Sequence, residues 1–176
     1  SVYFAAPDAD FEEWVKQYQS YQNIVDRVTV TVNKNDAVLH IAQEDHRSRA
    51  TQQWEDEVST KSRLGRPDLD DISKANLEWL IEQTKGSNLD VIDIDPTAIP
   101  GLGSGDHDFW YKSPWVSTDA LLGINLGVGP AERGLTEKKG ENGGRVWYFP
   151  DDYEQRVAQA IKKLNEKYER LRAGSH

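Results

Sequence analysis

Residues 27–33, RVTVTVN, set valine and threonine in strict alternation. A β-branched run with an apolar side chain at every second position fits a pleated strand whose two faces differ. Two other runs belong with it. SVYFAA at 1–6 reads as a short buried strand, and LDVIDID at 89–95 as a third core strand. Helical periodicity fills the gaps between them. Asp10 and Glu13 have capping-box spacing, and Phe11, Trp14, Tyr18 and Tyr21 recur at helical intervals. Further on, Ser73 is a candidate N-cap, Leu77, Leu80, Ile81 and Thr84 form an apolar face, and Gly86 is the stop. Strands alternating with helices imply a mainly parallel sheet with helices on its faces.

The rest of the chain reads less regularly. Asp36 opens a segment in which Val38, Leu39 and Ala42 give a helical face. Residues 48–87 read as an insertion with one helix, broken by Gly65 and Pro67. A helical stretch is expected from about Pro114 to Asn125, and a charged, glycine-rich loop over 127–149 with a short strand, RVWYF, at its end. The final segment is a strong amphipathic helix lined by Val157, Ile161, Leu164, Tyr168 and Leu171. Residues 1–172 read as one domain, and 173–176 as the start of a purification tag.

Composition excludes several classes. The chain of 176 residues carries a net charge of −9, which repels nucleic acid and anionic membranes. No apolar run approaches the ~20 residues of a membrane span. With no visible signal peptide, a cytoplasmic location is expected. There is no cysteine, so disulfides, thiol chemistry and thiolate metal sites are out. There is no methionine either, not even a first one, which suggests a segment removed from the front.

In a parallel sheet, ligands sit beyond the carboxyl ends of the strands. Three loops leave those ends. The first carries Asp8, the second Asp36, and the third, GLGSGDHDFWYKSPW at 101–115, carries His107. A histidine oriented by a carboxylate serves as a general base near neutral pH. Asp36 and His107 are therefore candidate catalytic residues. Each also has a plainer reading: Asp36 as the cap of the next helix, His107 as a surface histidine in a glycine loop. Asp8 is a second candidate acid or a residue lining the site. Phe109, Trp110, Tyr111 and Trp115 wall the pocket, or simply pack. His40 and His46 lack metal-pair spacing.

A nucleophile is missing. Ser104 lies in GLGSGD, which fails G-x-S-x-G, and Ser113, Ser117 and Thr118 stand on no elbow. The same glycines fail G-x-G-x-x-G, so no dinucleotide or other cofactor is expected.

Three runs in order, VYFAAPDADFEEW, DRVTVTVNKNDAVL and GDHDFWYKSPWVSTDALL, resemble a bacterial family of α/β-hydrolases of unknown function. The resemblance covers roughly residues 2–47 and 88–125. It implies the C-terminal part of an α/β-hydrolase three-layer sandwich. It makes Asp36 the triad acid, His107 the triad base and Asp8 a residue at the rim. The family's serine would precede Ser1, so the expected partner is the N-terminal half of the same domain, in the same or a separate chain. The expected function is esterase-like hydrolysis of a small-molecule carboxylic ester or related acyl bond. Two other readings stand beside it. One is an inactive binding or assembly module. The other is a metal-dependent α/β enzyme using Asp8, Asp36 and Asp106, since Mg²⁺ takes one or two carboxylates plus waters.

Overall fold

A computed structural model describes residues 1–33, 62–67, 72–86, 88–103, 107–139 and 143–174. In chain order the elements are β1 (Val2–Phe4), α1 (Phe11–Tyr21), β2 (Val28–Val32), α2 (Lys74–Gly86), β3 (Leu89–Asp93), α3 (Phe109–Lys112) and α4 (Pro114–Leu126). A 3₁₀ turn (Pro130–Arg133), β4 (Thr136–Lys139), β5 (Arg145–Tyr148) and α5 (Tyr153–Ala173) complete the elements among the described residues. The five strands form one sheet in the order β1-β2-β3-β5-β4. β1, β2, β3 and β5 run parallel, and β4 pairs antiparallel with β5. The fold is thus of the α/β class, with a mixed, mostly parallel sheet.

The alternation in β2 divides the two faces of the sheet. Val28, Val30 and Val32 join a core with Phe11, Trp14, Val15 and Tyr18 of α1 and with Leu89. Leu77, Trp79 and Leu80 of α2 pack against the same core. Trp14 lies at its centre, 5.2 Å from the ring of Tyr18 and 6.3 Å from that of Trp79. The other face builds a second core from Ile92, Ile94 and Trp147 with Phe109, Trp115, Val116, Phe149 and Tyr153. Helices therefore cover both faces, as three layers require.

Local signals explain the helix ends. The Asp10 carboxylate accepts the Glu13 N–H at 2.9 Å, so α1 starts where the capping box predicts. Ser73 Oγ accepts the Asn76 N–H at 3.3 Å ahead of α2, which ends at Gly86. α4 begins with Pro114 after Ser113 and stops at Gly127, whose φ of 61° is the left-handed conformation that glycine adopts without strain.

Residues 127–144, expected as loop, contain the 3₁₀ turn and β4. β4 reads TEKK and shows no apolar alternation because it is an edge strand, where lysine blocks further pairing. The helical face expected at Val38, Leu39 and Ala42 lies outside the described residues.

Toward the amino ends of the strands, the second face buries a polar cluster. Arg133 Nε donates to Asp119 at 2.7 Å, both side chains being fully buried. Arg133 also donates to the Val128 carbonyl at 2.8 Å, and the Tyr3 hydroxyl donates to Asp119 at 2.9 Å. Nearby, Arg27 pairs with the buried Asp90 at 2.7 Å. Burial raises both carboxyl groups above their ordinary value, against the pull of their arginines.

Candidate functional site

The carboxyl edge of the sheet is where the loops leading toward the candidate residues leave the strands. β1 leaves it through Ala5, Ala6 and Pro7. Ala6 has a φ of 46°, a conformation that costs a residue with a Cβ roughly 1–2 kcal/mol. It is held there because its N–H donates to Thr31 Oγ1 at 3.1 Å, and that hydroxyl donates to the Phe4 carbonyl at 3.3 Å. Thr31 of β2 thus pins the sharp turn that delivers Asp8 to the edge. The Asp8 carboxylate lies 3.2 Å from Arg63 Nε and is 55% exposed.

Arg63 belongs to a strap over the edge. The Phe11 N–H donates to the Ser62 carbonyl, Leu64 to Ala9, Gly65 to Pro7, and Asn33 to Gly65. Residues 62–67 therefore tie the exit of β1 to the exit of β2. In the sequence this stretch is part of the insertion expected over 48–87. Its breakers, Gly65 and Pro67, were visible, but the arginine's partner was not.

β2 ends at Val32, followed by the buried Asn33. Asp36 lies three residues beyond and outside the described residues, as do Ser104, Asp106, His40 and His46. Of the acids weighed for a metal site, Asp8 alone is described. Among the described residues no group of three His, Asp or Glu side chains is placed to hold a metal ion.

β3 leaves the edge beside β2. Asp95 then builds a tight turn: its carboxylate accepts the Thr97 N–H at 2.8 Å and the Thr97 hydroxyl at 2.7 Å. These bonds hold the Asp95 carboxyl below its ordinary 3.8. Ile99 is buried, and Gly101, at φ 79°, turns the chain in a conformation suited to glycine. His107 follows, half-buried, at the entrance to α3.

The aromatics after His107 divide. Phe109 and Trp115 are core residues. Trp115 packs on Phe149 and Tyr153, and its Nε1 donates to Glu154 at 3.0 Å. Trp110 and Tyr111 are exposed and stand edge to face, 4.9 Å apart. The packing reading thus describes Phe109 and Trp115, while Trp110 remains at the surface.

A cleft of about 460 Å³ opens at this edge between the β3 exit loop and the β4–β5 hairpin. Ile99, Val146, Tyr148 and Phe149 supply its apolar lining; Asp93, Asp95 and Lys138 supply charge. Sequence reasoning missed it, because Lys138 and Val146 read as parts of a loop and a short strand with no tie to the β3 exit.

No described helix is long and apolar enough to cross a membrane. Comparison with known protein families, with curated proteins and with solved structures finds no match to this chain.

Proposed function

We propose that this chain belongs to a serine α/β-hydrolase of esterase type, in which His107 is the general base and Asp36 the acid that orients it. The nucleophilic serine comes from outside residues 1–176. In this reading His107 takes the serine proton as the hydroxyl attacks the acyl carbon, then returns it to the departing alcohol. Water repeats the sequence to release the acid. The apolar lining of the cleft beside the β3 exit suits the carbon skeleton of a small ester.

The observation that carries the reading is strand register. β2 and β3 are parallel neighbours, with Val32 opposite Asp93. Adjacent strands lie about 4.8 Å apart. The chain toward Asp36 and the chain toward His107 therefore set out side by side from one edge, as an acid–histidine pair needs.

The non-enzymatic reading has its own support. The described acids at this edge have local partners: Asp8 meets Arg63, Asp10 caps α1, and Asp95 holds the Thr97 turn. Carboxylates engaged this way are structural. The decisive experiment is fluorophosphonate labelling of the protein with its complete hydrolase domain. Labelling of a serine that is lost in His107→Ala, and reduced in Asp36→Asn, supports the enzyme. Labelling that survives His107→Ala removes His107 as the base, and no labelling between pH 6 and 9, in about one-unit steps around the histidine range, supports the assembly module.

A further inference from the structure

The last half of α5 extends past the body of the protein. The helix is 21 residues long. Its first turns bury Tyr153 in the second core with Val157 half-buried against it, and Leu164, further along, is buried beside the 3₁₀ turn. From Asn165 to Gly174 every residue is exposed, an overhang of about 15 Å at ~1.5 Å per residue. The apolar stripe does not stop with the burial. Val157, Ile161, Leu164, Tyr168 and Leu171 follow 4-3-4-3 spacing, so Ile161 and Tyr168 occupy a positions and Leu164 and Leu171 d positions of a heptad. Tyr168 is 45% exposed and Leu171 58%.

The charge flanking this seam has one sign. Residues 162–172 hold five cations and two acids within a chain of net charge −9. At the e and g positions beside Tyr168 and Leu171 stand Asn165, Lys167 and Arg172, whereas Glu166 and Glu169 fall on the outer side. Lys163 and Lys167 also line a hollow of about 440 Å³ between α5 and the 3₁₀ turn, with Ala131, Gly134, Leu135 and Leu164 as its apolar walls.

We propose that this overhang is a docking surface for an acidic amphipathic helix of a partner protein, seated on Leu164, Tyr168 and Leu171 and held by Lys167 and Arg172. Three considerations select that occupant. A second copy in parallel would set Lys167 at g against Arg172 at e of its mate, a like-charge clash. A lipid surface calls for a broad apolar face, whereas this stripe is the narrow a/d seam of helix pairing, and the net charge repels anionic lipid. Glutamate or aspartate at e and g of a partner meets the cations and leaves the seam apolar. The proposal is independent of the hydrolase reading.

The test uses the full chain and a labelled three-heptad synthetic helix with leucine at a and d and glutamate at e and g. Its counterpart carries lysine at e and g. Fluorescence anisotropy is expected to show binding of the acidic helix, weakening with added salt, and at least about tenfold weaker binding of the basic one. The double variant Tyr168→Glu/Leu171→Glu loses binding while keeping the far-ultraviolet helix signal. Lys167→Glu/Arg172→Glu shifts the preference to the basic helix. Equal binding of the two helices, indifference to the charge reversal, self-association of the chain through this seam by light scattering, or stronger capture by phosphatidylserine vesicles would each overturn it.

Discussion

The two ends of this sheet treat charge in opposite ways. Toward the amino ends, Asp119, Arg133 and Asp90 are buried and closed on one another and on Tyr3 and Arg27. At the carboxyl edge, Asp8 and Asp95 are solvent-facing and held by single neighbours. A buried pair is costly to break, because the survivor is left as an uncompensated charge. A surface carboxylate is cheap to hold and easy to reach. Stability depends on the first arrangement; the second leaves its carboxylates open to solvent.

That contrast can be tested by substitution. Arg133→Ala should destabilise most, by about 3–5 kcal/mol in urea unfolding, since it strands the Asp119 carboxylate. The paired change Asp119→Leu with Arg133→Met should cost less than either single change; a larger cost would mean that the cluster is more than a buried ion pair. Thr31→Val comes next, at about 1–3 kcal/mol, because it leaves the Ala6 N–H without its acceptor. Asp8→Ala should change stability by no more than about 1 kcal/mol, the range of exposed ion pairs. A loss as large as that of Arg133→Ala would erase the difference between the two ends.

The smallest effect concerns pH. Asp95 is held below its ordinary 3.8 by the Thr97 hydroxyl and N–H. A depressed carboxyl contributes stability above its unfolded value and loses it as pH falls through the folded value. That contribution is therefore present above pH 3.8 and disappears below it. Thr97→Ala should move the Asp95 titration upward, read from its side-chain carbon shift. An unmoved titration would show that the backbone N–H alone sets it.

The sequence announced these regions unequally. The helix starts at Asp10 and Ser73 and the stop at Gly86 were legible, because caps act within three or four residues. β2 and β3 were legible from their alternation and apolar runs. β4 was not, since TEKK gains its strand conformation from pairing with RVWY and not from its own composition. For the candidate site, the sequence showed that the segments carrying Asp36 and His107 follow β2 and β3; that these strands are neighbours came from the sheet order, and Asp36 lies outside the described residues. The strap at 62–67 and the cleft beneath Lys138 could not be read from the sequence, because each joins segments that are distant along the chain.

The sequence by itself determined where β2, β3, α1 and α2 start, which side of β2 is apolar, and which segments carry Asp8 and His107. Those are consequences of local sterics, capping and periodicity. Tertiary structure alone decided that Arg133 meets Asp119, that Arg63 meets Asp8, that Phe109 and Trp115 are core while Trp110 is surface, and that α5 outruns the body it packs on. Each of these rests on contacts between distant segments, and packing, not spacing along the chain, decides which distant segments meet.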